Sequence, residues 1–342
     1  GDDGYFQRFR LDDGPDGRPV ELTNVVGYLP GRLAERDGQA VVVGAHYDHL
    51  GFGWPDAHRQ FEGQLHPGAD DNASGVAVLL ELARVFAAGE APDRALVFVA
   101  FTAEESGRLG SRHFVEHSGR LPAEAVRAMV NLDTVGRLGD GPVTVMSTGT
   151  AEEWPHIVRG VGFVTGIAGR SVEDSLSASD EASFIEHGVP AIQLFTAAHA
   201  DYHRPSDTAD KVDRTGLVKV ATFAREIVSY LVGREEPLTV TIDGHVAPAG
   251  QPSAGRRVSF GIVPDFGFAG PGVRADSVVP DSPADRAGIR GGDVLTEVDG
   301  RPVADLRELA AILAGLAPGR SVGAVVERDG TRLELSVTLV AR

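Results

Sequence analysis

The 342 residues predict an α/β domain, a mostly parallel mixed sheet flanked by helices, followed by a small β-rich domain. Strand-like and helix-like runs alternate as far as residue 232, the pattern of sheet strands joined by helical crossovers. Four strand-like runs end within a few residues of a carboxylate or imidazole, and open α/β sheets bind ligands outside the carboxyl ends of their strands. Beyond residue 255 the pattern changes to short strands with Asp-Gly turn signals.

Taken in order, strands are expected at 5–11, 23–29, 40–45, 95–101, 128–132, 143–147 and 191–195, each β-branched or aromatic and bounded by turn residues. The first two read as an antiparallel edge. Helices are expected at 73–88, 106–118, 152–160, 180–187 and 215–232. In the first of these Val76, Leu79, Leu80, Ala83, Phe86 and Ala87 recur close to a 3.6 period. Nothing helix-like precedes Tyr5, which reads as a domain cut at its N-terminus. From 233 to 254 the pattern dissolves into Pro237, Asp243-Gly244, Pro248, Gly250 and Pro252, a linker composition. Residues 255–342 then carry hairpin signals at Asp299-Gly300 and Asp329-Gly330, with one amphipathic helix near 306–316. The expected domains are therefore 1–232 and 255–342.

Composition narrows the function. Apolar residues make up 42% and charged residues 24%, as in an ordinary soluble globular protein. The net charge of −17 disfavours nucleic acid and anionic membranes as partners. No apolar run approaches the roughly 18–20 residues needed to span a bilayer. The absence of cysteine excludes disulfides and thiolate ligands, so any metal is held by nitrogen and oxygen. The chain opens at Gly1 without a Met or a recognisable signal peptide, which reads as a mature or trimmed chain.

The residues at the strand ends carry the chemistry. VVVGAHYDHLG presents His46 and Asp48, two apart and able to point the same way. A natural division makes His46 a metal ligand and Asp48 the carboxylate that orients its ring. Asp71 in GADDNASG stands before a helix, where Asp70 and Asn72 read equally well as caps. With two oxygens, Asp71 can serve two ions roughly 3.5–4 Å apart. Glu104 and Glu105 end the most hydrophobic strand, one suited to bind metal and the other to act as general base. Asp133 and His203 complete the set. His49 and His199 lie near these ligands in sequence, and Asp180 reads as a helix cap in preference to a pocket residue.

The motifs GAHYDHLG, HPGADDNASG, FTAEESGRLGS, NLDT and DYHRPSDT, in this order over about residues 20–232, resemble the M28 family of zinc metallopeptidases. The resemblance implies two co-catalytic Zn2+ ions, one held by His46, Asp71 and Asp133, the other by Asp71, Glu105 and His203. It implies Glu104 as general base, and Tyr202 as a phenol that stabilises the oxyanion. The activity it implies is that of an exopeptidase on peptide substrates, in first place an aminopeptidase. A carboxypeptidase, a glutaminyl cyclase-like acyl transfer and a non-catalytic scaffold are the alternatives. Relatives of this kind suggest export to the periplasm or the extracellular space.

SFGIVPDF, VVPDSPADRAGIRGGDVLTEVDGRPV and LRELAAIL resemble a bacterial PDZ domain. Phe260, Gly261 and Ile262 are similar to the loop that cradles a peptide carboxylate. The strand they begin would then take up a peptide or protein C-terminus by β-augmentation.

Overall fold

The computed structural model describes residues 4–12, 14, 18–53, 57, 59–119, 121–173, 179–242, 258–265, 268 and 270–341. Residues 243–257, which hold most of the expected linker, lie outside them. The chain divides into two compact units: Gly1–Leu50, Pro67–Ala197 and Asp207–Pro248 form one, and Gly51–His66, Ala198–Ser206 and Ala249–Arg342 the other. No helix among the described residues is long and apolar enough to cross a membrane.

The first unit contains β1 (Phe6–Leu11), β2 (Val20–Leu29), β3 (Ala40–His46), α1 (Gly75–Ala88), β4 (Ala95–Phe101), α2 (Leu109–His117), β5 (Val126–Leu132), β6 (Val143–Met146), α3 (Trp154–Thr165), β7 (Gly169–Ser171), α4 (Glu181–Ile185), β8 (Ala191–Phe195) and α5 (Arg214–Gly233). Its sheet runs β1-β2-β4-β3-β5-β8-β6-β7. The middle, β4-β3-β5-β8, is parallel. β1 and β2 form the expected antiparallel edge. β8 and β6 are antiparallel as well, and β7, too short to stand out in the sequence, closes the far edge.

The central strands are apolar throughout because both of their faces are covered. In β3, Val41, Val43 and Ala45 enter the core shared with Val78, Leu82, Phe223 and Ile227. Ala40 and Val42 alternate to the opposite core, with Phe101, Phe114 and Phe184. Each fully buried valine contributes roughly 1.5–3 kcal/mol. α5 is capped at its start by Asp213, which accepts from Gly216 N at 2.9 Å. At its end Arg36 donates to the carbonyls of Val232 and Gly233, and Arg94 to those of Leu231 and Arg234. These two arginines satisfy carbonyls that the last turn leaves without helical partners.

In the second unit β9 (Val258–Ser259), β10 (Ile262–Pro264), β11 (Val273–Val278), α6 (Pro283–Arg286), β12 (Val294–Val298), β13 (Arg301–Pro302), α7 (Leu306–Ala314), β14 (Ser321–Arg328), β15 (Thr331–Thr338) and β16 (Val340–Ala341) follow one another. Both Asp-Gly pairs make tight hairpins, with φ of 53° and 73° at Asp299-Gly300 and 50° and 76° at Asp329-Gly330. α7 is capped by Asp305, which accepts from Glu308 N, while the Glu308 carboxylate reaches back to accept from Ala304 N. Leu309, Ile312 and Leu313 of α7 pack into a core with Phe260, Leu295 and Val326. The main sheet begins at β10, which among the described residues pairs only with β11 within it.

Candidate metal centre

The parallel strands β3, β4 and β5 all end on one rim, and each delivers a functional group there. His46 is the last residue of β3 and is buried. Its Nδ1 donates to the backbone carbonyl of Asp48 at 3.2 Å. Its Nε2 then faces Asp71 Oδ1 at 3.3 Å and Asp133 Oδ1 at 3.4 Å. That division of the ring nitrogens turns Nε2, the nitrogen a metal ligand would use, toward the carboxylates.

The Asp48 carboxylate does something other than the sequence suggested. It stands 3.8 Å from His46 Nδ1, while its oxygens accept the backbone N–H groups of Glu104 at 3.0 Å and Glu105 at 3.3 Å. The imidazole is oriented by the Asp48 main chain, and the side chain braces the turn after β4.

Among the described residues two groups of ligand-type atoms result, each within 4.8 Å: His46, Asp71 and Asp133, and His49, Asp71 and Glu105. Asp71 belongs to both, with Oδ1 toward His46 and Oδ2 3.9 Å from His49 Nδ1. His49 Nδ1 lies 2.8 Å from Glu105 Oε1. Both groups are built from first-unit residues. Tyr202 and His203 fall in the second unit, where their rings stack with centroids 3.9 Å apart.

The centre is short of positive charge. Burial by itself lowers the His46 pKa, yet Asp133 and Asp71 outweigh it and hold the ring well above its ordinary range. Burial pushes Glu104 well above the usual carboxylate range, and Glu105, Asp180 and Asp133 push the same way against the pull of His46. Burial raises Asp48 too. Protons stand here where cations belong. Imidazole nitrogens and carboxylate oxygens, three per group and without thiolates, are a donor set that fits zinc.

Asp180 and Glu181 lie close enough to Asp133 to interact with it and add to the acidic character. Both are fully buried, and burial raises them to about 7 and about 8. Asp180 does not cap α4 as expected. Its backbone is already helical at φ −60° and ψ −28°, and its side chain accepts no N–H of the first turn, whereas a capping side chain needs extended geometry. Glu181 Oε2 accepts from Asn131 Nδ2 at 3.2 Å, two residues before Asp133.

Asp70 and Asn72 prove to be bracing residues of the loop. Asn72 donates to Leu132 O at 2.8 Å and accepts from Gly75 N at 3.0 Å and Thr134 N at 3.3 Å, tying the Asp71 loop to the end of β5. The Asp71–Asn72 peptide is cis. Sequence reasoning gave His49 little weight, although it stands only three residues from His46. It assigned nothing to Asp207, an acid inside the DYHRPSDT motif, or to Arg137.

Fold and site together define an α/β protein with a carboxylate–imidazole metal centre on its sheet rim. The chain belongs to peptidase family M28, whose model matches residues 24–228, and residues 254–339 match the PDZ domain. It is 30% identical over 218 residues to the uncharacterized protein YfbL of Escherichia coli, covering 54% of this chain and 64% of that one. It is 28% identical over 219 residues to the aminopeptidase YwaD of Bacillus subtilis, covering 58% and 43%. The chain thus spans less than two thirds of either relative. The structure of BSAP, a zinc aminopeptidase from Bacillus subtilis, superposes with a TM-score of 0.54 at 25% identity over 66% of this chain and 55% of that one. A glutaminyl cyclase from Porphyromonas gingivalis shares the fold, with a TM-score of 0.55 at 20% identity over 66% and 83%.

Proposed function

We propose that this chain is a zinc-dependent exopeptidase, an aminopeptidase that removes N-terminal residues from peptides. The observation that carries the reading is the pair of imidazole–carboxylate groups sharing Asp71, with Glu104 close enough to interact with His46, Glu105 and Asp133. Its family and the aminopeptidase YwaD among its relatives support it. One ion would be held by His46, Asp71 and Asp133. By the family resemblance a second would be held by Asp71, Glu105 and His203, while His49 hydrogen-bonds Glu105.

Zinc bound there supplies a Lewis acid for the scissile carbonyl and lowers the pKa of water. Glu104, held by its braced backbone, takes a proton from the attacking water and passes it to the leaving amine. Its raised pKa suits both halves of that exchange, because an acid too strong would not accept the proton. The Tyr202 phenol donates to the oxyanion. The acidic surroundings of Asp133, Asp180 and Glu181 favour a substrate that brings a free ammonium. In the second unit, β10 accepts the C-terminus of a peptide along the edge that no described strand of its sheet pairs, with Gly261, at φ 94°, turning the chain into it. The Phe260 side chain is spent in the core, so that loop has only backbone to offer. Export, as in the family resemblance, is part of this proposal and is read by cell fractionation.

The test is hydrolysis of leucyl peptides with a free amino group, their N-acetylated forms and their C-terminal amides, with and without a chelator. Chelator-sensitive turnover that requires the free amino group is expected. Equal turnover of acetylated peptides sinks the aminopeptidase assignment, and loss of activity on amides alone identifies a carboxypeptidase.

A further inference from the structure

We propose that Asp207, together with Arg137 and Asp70, is a positioning system that sets how tightly the Asp71 loop holds metal. The proposal rests on the zinc reading above and concerns residues outside the ligand set. Asp207 is fully buried. Its Oδ2 accepts two successive backbone N–H groups, of Asp70 at 2.9 Å and of Asp71 at 3.1 Å. Its Oδ1 accepts from Arg137 Nη2 at 3.1 Å. With both oxygens engaged in this way, the carboxylate acts as a clamp on the main chain of the shared ligand.

Asp70 extends the clamp to the neighbouring ligand loop. It is fully buried, and its Oδ1 accepts from Gly136 N at 2.5 Å, three residues after Asp133. Ser74 Oγ, 2.9 Å from the same oxygen, accepts from Val135 N at 3.1 Å. Arg137 Nε lies 3.9 Å from Asp70 Oδ2, so one guanidinium answers both buried carboxylates. Asp71 and Asp133 therefore sit on two loops locked to each other by charge-assisted hydrogen bonds, which are shorter and stronger than neutral ones. The lock has a chemical purpose. Asp71 keeps its two oxygens aimed at different groups, and a loop free to rotate would lose one aim or the other. Groups that orient metal ligands in this way typically account for 10–100-fold in metal affinity when removed.

The experiment uses metal-stripped full-length protein and measures zinc affinity by competition with a chelating dye. The variants are Asp207→Asn and Arg137→Lys. An asparagine places an amide N–H against Arg137, and a lysine keeps the charge but cannot reach both carboxylates. Both are expected to bind zinc about 10–100-fold more weakly, with a circular dichroism spectrum like the wild type. At saturating zinc, KM should stay near the wild-type value. An affinity within threefold of wild type in either folded variant overturns the proposal, as does a loss fully matched by collapse of the stripped protein's Tm. A wild-type chain that binds no zinc at all overturns the metal reading and this proposal together. A zinc-binding wild type with indifferent variants overturns this proposal alone.

Discussion

Glu104 and Glu105 are neighbours in sequence but differ in their surroundings, and the different roles proposed for them rest on that difference. Glu105 is hydrogen-bonded to His49 within a ligand group, whereas Glu104 belongs to neither group and is pushed toward its protonated form. Glu104→Gln should therefore lower kcat by about 10²–10⁴-fold while zinc content, read by atomic absorption, stays at the wild-type value. Loss of zinc in that variant would make Glu104 a ligand. The histidines divide similarly. His203→Ala should drop the protein from two zincs to one, and His49→Ala should keep both, with the second bound more weakly. The reverse outcome exchanges their roles. Residue types at strand ends were enough to nominate His46, the Glu104-Glu105 pair, Asp133 and His203, and Asp71 stood out ahead of a helix, but the choice of Glu105 as the ligand needed the family resemblance. They could not nominate His49, Asp207 or Arg137, because what those side chains do depends on which loops meet, and that is decided by distant packing.

The strands and long helices could be read in the sequence because periodicity and end signals agree there. β4 and β8 run over the expected residues, and α1 starts two residues later than expected, at Gly75. That start is set by tertiary contact: a Cβ at Gly75 would stand 2.3 Å from Leu132 O and 2.4 Å from Asn72 Oδ1. Gly75→Ala, normally favourable in a helix, should here destabilise by about 1–3 kcal/mol, measured by urea unfolding. The short strand β7 was harder, since three residues carry no period. α4, Glu181–Ile185, falls within the expected helix, and Asp180 and Glu181 at its start are acids buried against their polarity. Those acids have a consequence for pH. Asp180 rises from 3.8 to about 7 and Glu181 from 4.5 to about 8 on folding, so between these limits the folded protein holds protons that the unfolded chain has released. Their contribution to stability is complete below the unfolded values and is lost as pH climbs through the folded ones. The stripped protein should lose Tm from pH 5 to 8, and Glu181→Gln should flatten that slope. An unchanged slope in the variant would mean that Glu181 stays ionised in the fold.

For the molecule as a whole, the same excess of buried acid ties stability to metal. The chain carries a net charge of −17, and part of it is concentrated on the rim of one sheet. Without cations, His46, Glu104, Asp180 and Glu181 all have raised pKa values, and each withdraws stability as pH rises. Zinc acts with the opposite sign. Its ligands must be deprotonated, so affinity grows with pH, and binding to the folded state alone adds about 2.7 kcal/mol per site at a hundredfold excess over Kd. The two trends diverge. The difference in Tm between zinc-loaded and chelator-stripped protein should therefore be larger at pH 8 than at pH 6, which differential scanning calorimetry at fixed ionic strength can measure. A gap that stays constant would mean that the buried acids are compensated from within the protein, and that the rim does not depend on cations for its charge balance. A widening gap that Asp207→Asn narrows mainly at limiting zinc would join the two effects, because the clamp on Asp71 would then set how fully cations relieve the charge.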